Sequence, residues 1–383
     1  MRIGILTFHR AINYGAVMQA YSLSKQLKES FPEDSVEIID YNCRQRELFK
    51  IKSPLVFLYR RSVKEAVEKA IQTMVFNKFV NRLPLSKKFL GKKDSKAEKY
   101  INDNYDILVV GSDAVFNWND IGLPNIYFAQ GINTKYKLSY AASAHLQKYN
   151  DINDKQKEFL STALSDFDYL GVRDENTKNF VANFVDEKKA VHNCDPTVFL
   201  KMDFPQDDLL KKMKKHKFDF KKKTVFVMLM KSKYGKFVKD KFGSEYQIVS
   251  LMDGNPYSDI YMYDLNPFEW AHVFSYGSFV VTDYFHGTML SLKNGTPVLS
   301  IDSSGYCTDT YKSKAYDLFY ERLDMPEIYL NSAEMNGENG YEVFCNKVQE
   351  IFEKFDKDKV FAKLEEESVG YFGSFCDKIK EMH

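Results

Sequence analysis

The stretch SFVVTDYFHGTMLSLKNGTPVLSID, residues 278–302, reads as strand, turn, helix and strand in succession. Phe279, Val280 and Val281 form a short apolar run suited to a buried strand, and the polar pair Thr282-Asp283 ends it. Residues 287–294 suit a helix of about two turns, with Met289, Leu290 and Leu292 apolar. Gly295 sits where a left-handed cap is needed, and Pro297 forbids continuation. Residues 298–301 then supply a second buried strand, so the whole is a β-α-β unit with a right-handed crossover. On this reading His286 lies in the loop at the carboxyl end of the first strand. Open α/β sheets bind ligands there, and helix N–H groups favour an anion. Two roles stand side by side: His286 transfers a proton near neutral pH, or it packs or caps beside Phe285.

Upstream, residues 2–7 form a strand, residues 8–15 a loop, residues 16–30 a helix and residues 36–41 a strand. Asn13-Tyr14-Gly15 occupies the strand-to-helix turn. With one glycine at that turn the three-glycine dinucleotide fingerprint is absent, and a nicotinamide or flavin cofactor is not expected. Residues 106–110, DILVV, end in Gly111-Ser112-Asp113, again small polar groups after an apolar strand. Trp118 beyond them either stacks on a sugar or is buried. Strands at 137–142 and 169–172 follow, the second leading into Arg173-Asp174-Glu175. Arg173 either captures a carboxylate or phosphate in a bidentate fork, or pairs with Asp174 or Glu175. The turn Asp195-Pro196-Thr197 closes this half, and residues 211–223, with eight lysines, read as a solvated helix and linker.

The second half opens with an apolar run at 225–230 and a further strand at 248–252; residues 267–274 lead as a helix into the opening stretch. Helical patterns occupy 343–355 and 360–379. The expected fold is α/β: a Rossmann-like domain over 1–205, a second over 206–355 and a carboxyl-terminal helix over 356–383 packing back on the first.

Composition narrows the function. The 383 residues exceed one ordinary core, and 54 Lys plus Arg against 53 Asp plus Glu leave a balance of +1. A nucleic-acid-binding field is therefore not expected. The longest apolar run has six residues, far short of a membrane span, and MRIGILTF lacks a signal-peptide core, so a cytoplasmic location is expected. Residues 44–100 are basic, with clusters at Tyr59-Arg60-Arg61 and Lys87-Lys88. They form either a solvated face or a peripheral membrane contact for an anionic lipid-linked substrate. Five scattered cysteines and seven dispersed histidines suggest neither disulfides nor a metal, and Walker, HExxH and GxSxG motifs are absent.

Taken in order, Asn13-Tyr14-Gly15-Ala16, Val110-Gly111-Ser112-Asp113, Ser139-Tyr140-Ala141-Ala142-Ser143, Val172-Arg173-Asp174, Asp195-Pro196-Thr197 and Thr282-Asp283-Tyr284-Phe285-His286-Gly287-Thr288 resemble the polysaccharide pyruvyl transferase family. The resemblance implies a GT-B-like fold of two Rossmann-like domains with an interdomain cleft. It also implies transfer of a pyruvyl group from phosphoenolpyruvate to a hydroxyl pair of a cell-surface polysaccharide precursor, free or lipid-linked. Phosphoenolpyruvate is then the donor substrate, and no cofactor or metal is expected. By the same resemblance His286 and Asp113 are catalytic, His286 as the acid. Arg173, Asn13, Tyr14, Gly15, Gly111, Ser112, Asp283, Gly287 and Thr288 bind substrate. Asp113 and Asp283 contact acceptor hydroxyls or remove a proton, or else serve as turn and helix caps. Several members carry an arginine two residues before the histidine, where this chain has Tyr284; its donor contact is then missing or comes from elsewhere, for example Arg10 or Lys293, or this branch uses a different donor geometry or another reaction. The rival expectations are a nucleotide-sugar glycosyltransferase, binding UDP or GDP near residues 253–256 and His286, and a non-catalytic glycan-binding protein of the same fold.

Overall fold

Ile3, Ile5 and Leu6 of β1 (Arg2–Leu6) have no exposed surface. A strand buried on both faces belongs inside a parallel sheet. Accordingly β1 pairs in parallel with β2 (Ser35–Ile38) on one side and β3 (Ile107–Asp113) on the other, setting Ile5 beside both Ile38 and Val109. With β4 (Tyr136–Ala142), β5 (Tyr169–Val172) and β6 (Ala190–His192) the order is β2-β1-β3-β4-β5-β6. Helices α1 (Tyr14–Ser30), α2 (Val63–Val80), α3 (Asp94–Asn104), α4 (Asp154–Ser165) and α5 (Glu175–Val181) fall between these strands in the chain.

The computed structural model describes residues 1–42, 62–86, 94–119, 121–145, 147–303 and 312–383. Tyr59-Arg60-Arg61 and Lys87-Lys88 lie outside the described residues. The chain divides into two units, one of residues 1–67, 76–200 and 367–383, the other of residues 68–75 and 201–366.

The second unit holds β7 (Thr224–Met228), β8 (Gln247–Leu251), β9 (Ile260–Met262), β10 (Phe279–Thr282), β11 (Val298–Asp302) and β12 (Tyr329–Asn331), all parallel, in the order β12-β11-β10-β7-β8-β9. Its helices include α6 (Asp207–Lys215), α7 (Lys233–Phe242), α8 (Pro267–Val273), α9 (Phe285–Lys293) and α10 (Gly340–Lys354). Val225, Val227, Val281 and Leu299 meet Phe242, Phe344 and Val348 in one core. In the first unit Leu23 and Leu27 of α1 share a core with Phe372, Phe375 and Ile379 of α11 (Lys357–Lys380). Among the described residues no helix is long and apolar enough to cross a membrane.

Several elements differ from their sequence-based expectation. α1 begins at Tyr14 because the Asn13 side chain caps it, accepting from Ala16 N. α9 begins at Phe285, which moves His286 from a loop into the first helical turn. The lysine-rich stretch is anchored: Lys212 bonds Glu269 and the Asp264 carbonyl, while Lys215 and His216 each reach the Asp264 carboxylate at 2.7 Å. Of the two readings of Trp118, burial holds: it packs against Phe128 and Phe180.

Candidate functional site

In both sheets the chain reverses its direction of winding at one place, between β1 and β3 in the first unit and between β7 and β10 in the second. Loops leaving the carboxyl ends of such neighbours diverge and open a crevice. Of the sequence-predicted site residues, those after β1, at the end of β3 and after β10 lie at these two places, each described within its own unit, whereas Arg173 follows β5.

In the second unit Asp283 follows β10 directly. Its carboxylate accepts Met230 N at 2.9 and 3.0 Å and Lys231 N at 3.4 Å, stitching the loop after β10 to the loop after β7. Burial outweighs these donors and pushes the Asp283 carboxyl up to about 6. Tyr284 takes the cap position of α9 without a side-chain cap; its N–H donates to Thr282 Oγ1 at 3.0 Å, and its hydroxyl donates to Asp253 at 2.7 Å. Burial, and then the charge of Asp253, hold the Tyr284 phenol well above its ordinary range, so it stays a donor.

His286 is 9% exposed and stands edge-on to the Phe285 ring. It shares the first turn of α9 with N–H groups that have no intrahelical acceptor, an arrangement that favours a negatively charged ligand. Gly287 is required by close approach, since a Cβ there would lie 2.5 Å from Thr282 Oγ1. Thr288 ties α9 to β11 through Ser300 Oγ at 2.8 Å.

In the first unit Thr7, just past β1, donates to the Ser112 carbonyl at 3.2 Å across the β1–β3 crevice. Gly111 has φ +128°, and a Cβ there would lie 2.2 Å from the Tyr140 carbonyl oxygen, so no other residue fits. Asp113 holds a left-handed φ of +71°. Its carboxylate has no hydrogen-bond or ion-pair partner among the described residues, and neither does the buried Ser112 Oγ. A strained strand-end residue beside unsatisfied polar atoms is the arrangement expected of a ligand contact.

Other expected binding residues have structural partners. Asn13 caps α1, and Tyr14 is buried and stacked on Phe76 at 5.4 Å; Gly15 is buried in the same turn. Arg173 is 3% exposed, 3.4 Å from Asp195 and 3.9 Å from Asp174, which is the ion-pair arrangement, with Asp195 in place of Glu175. Asp195 also accepts from Gln19 and Thr197, while Asp174 caps α5 and accepts from Ser143. Arg10 is clamped on Asp40 by two bonds of 2.7 Å, and the buried His9 reaches the same carboxylate at 3.3 Å. Asp40 and the pairing of Asp253 with Tyr284 have no local signal in the sequence. Among the described residues no group of three or more His, Cys, Asp and Glu is placed to hold a metal ion.

No curated protein matches the chain at a significant level. Among solved structures it is similar to the UDP-GlcNAc 2-epimerase of Methanocaldococcus jannaschii at 12% identity and a TM-score of 0.53, over 93% of this chain and 94% of that one. It is also similar to the UDP-GlcNAc 2-epimerase of Neisseria meningitidis, bound to UDP-GlcNAc, at 10% identity and a TM-score of 0.51, over 100% of this chain and 99% of that one. A variant of the wall teichoic acid polymerase TagF is similar at 13% identity and a TM-score of 0.50, over 100% of this chain and 87% of that one. At such identities the likeness concerns fold alone, an α/β architecture of two parallel six-stranded sheets with GT-B enzymes as its neighbours. The model of the family described as polysaccharide pyruvyl transferase matches residues 13–305, a span that includes both switch points, and the chain belongs to that family.

Proposed function

We propose that this protein transfers a pyruvyl group from phosphoenolpyruvate to two hydroxyls of one sugar in a polysaccharide precursor. Besides family membership, the observation that carries this reading is His286 in the first turn of α9, at the switch point of its sheet. A donor bearing a carboxylate and a phosphate suits first-turn N–H groups. His286 delivers a proton to the donor's methylene carbon, leaving an oxocarbenium-like centre at the carbon that carries phosphate. One sugar hydroxyl attacks that carbon and loses its proton. A second hydroxyl then displaces phosphate and closes the ketal, so one donor and one diol give one ketal and one phosphate. Asp283 takes or shares a hydroxyl proton, a role suited to a carboxyl that titrates at about 6. Asp113 is proposed as a separate contact to a substrate hydroxyl. Arg173 is left to its buried carboxylates.

Calorimetric titration with phosphoenolpyruvate, UDP and GDP tests this reading in wild type and His286→Ala. Binding of phosphoenolpyruvate alone, weakened in the variant, is expected. Binding of a nucleotide without phosphoenolpyruvate would move the protein to glycosyl transfer.

A further inference from the structure

Tyr284 leaves the end of β10 and Asp253 follows β8, and the two strands lie on either side of β7. Neighbouring strands are spaced by about 4.8 Å. The 2.7 Å bond from the Tyr284 hydroxyl to Asp253 Oδ2 therefore spans two strand spacings. It passes the carboxyl end of β7, beside the loop that Asp283 holds through Met230 and Lys231. His286 lies two residues beyond Tyr284, in the first turn of α9 at the same end of the sheet.

Three features of this pair bear on what it can bind. The Asp253 side chain is 52% exposed, so lone pairs left over from the Tyr284 bond face solvent. Its other oxygen lies 4.0 Å from Lys69 Nζ, and the charge of Lys231 acts on Asp283. Lys69 and Lys231 are thus each matched by a carboxylate, while Lys314 lies 5.2 Å from the Phe285 ring centroid. Finally, Gln72 and Tyr261 both donate to the Met252 carbonyl at 2.9 Å, fixing the turn that presents Asp253. The buried Gln72 Oε1 has no hydrogen-bond partner among the described residues.

We propose that Tyr284 and Asp253 are specificity-determining residues that receive hydroxyls of the acceptor and restrict it to neutral or amino sugars, excluding uronic acids. This rests on the pyruvyl-transfer reading and deepens it: an acceptor-only carboxylate attracts hydroxyl and ammonium donors and repels a sugar carboxylate.

The test measures affinities by ligand-observed NMR for methyl galactoside, methyl mannoside, galactosamine and galacturonate, in wild type, Asp253→Asn and Tyr284→Phe. Phosphoenolpyruvate affinity is measured in parallel by calorimetry. At least one neutral or amino sugar should bind at least tenfold more tightly than galacturonate. Asp253→Asn should narrow that gap to within about threefold, Tyr284→Phe should weaken the preferred sugar, and both should leave phosphoenolpyruvate affinity within about twofold. Galacturonate binding equal to that of the other sugars, no sugar binding, a gap untouched by Asp253→Asn, or a loss confined to phosphoenolpyruvate would each overturn the assignment. Failure of wild type to bind phosphoenolpyruvate, with sugar selection intact, would instead overturn the donor and leave the sugar-binding pair standing.

Discussion

The Asp283 carboxylate receives the Met230 N–H through both of its oxygens, at 2.9 and 3.0 Å, and so joins the two loops that border the switch point of the second sheet. Burial raises this carboxyl from 3.8 to about 6. Between those values the folded protein keeps a proton that the unfolded chain has released, so stability falls as pH rises across the window. The contribution is on the order of 2 kcal/mol. In Asp283→Asn the unfolding free energy from urea titration should lose about that much less than wild type between pH 4 and 6. Parallel profiles for the two proteins would show that Asp283 ionises normally.

Gly287 lets α9 lie directly on the end of β10. A Cβ there would meet Thr282 Oγ1 at 2.5 Å, and that oxygen is buried and already accepts the Tyr284 N–H. Gly287→Ala should therefore cost roughly 1–3 kcal/mol through overpacking. Adding Thr282→Ala should recover part of the loss in a double-mutant cycle. Additive losses would place the strain elsewhere.

Much of this was legible in the sequence because the decisive signals were local. A short apolar run closed by polar residues located the end of β10, and Gly295, with φ +66°, ends α9 as its position before Pro297 implied; β3 instead runs on through Gly111 and Ser112 to Asp113, because its pairing with β4 continues past the apolar run. The start of α9 was not legible, because Tyr284 caps it without a side-chain bond and so leaves none of the usual Ser, Thr, Asp or Asn signature. β9 and β12, of three residues each, are too short to show a period. Asp253, the partner of Tyr284, and Asp195, one of the two partners of Arg173, lie 31 and 22 residues away, and only the folded sheet brings such groups together.

Arg173 is enclosed with Asp195 and Asp174, and its side chain is 4% exposed. Removing one member of a buried charge cluster leaves the others uncompensated, at a cost of about 3–5 kcal/mol. Arg173→Met should lower the unfolding free energy by that amount, and Arg173→Met with Asp195→Asn should be less damaged than the single variant. A fully stable Arg173→Met with weakened phosphoenolpyruvate binding would return Arg173 to the donor site.

Asp40 is affected first by burial, which raises its pKa, but bonds from His9 and Arg10 prevail and hold it at about 2. Its stabilising effect is present above the ordinary 3.8 and is lost as pH falls through about 2. His9 acts in the same direction at higher pH. Burial lowers its pKa, so below the ordinary 6.5 the unfolded chain takes up a proton first and stability falls. Asp40→Asn should cost about 1–3 kcal/mol at pH 7, and the difference from wild type should shrink towards pH 2. A constant difference across that range would mean that Asp40 acts by shape alone.

His286→Gln keeps a polar side chain of similar reach in the first turn of α9 but cannot deliver a proton. If His286 is the acid, kcat for phosphate release should fall by roughly 10²- to 10⁴-fold, the usual contribution of a positioned acid. The KM for phosphoenolpyruvate should change much less, because first-turn N–H groups remain to hold the anion. The chemistry has a second readout, since protonation of a methylene carbon makes a methyl group. Turnover in heavy water should therefore place one deuterium in that methyl, in wild type and in any residual product of the variant. Full kcat in His286→Gln with one deuterium incorporated would keep the pyruvyl-transfer reaction and assign its acid to another residue, whereas product without deuterium would remove the reaction itself.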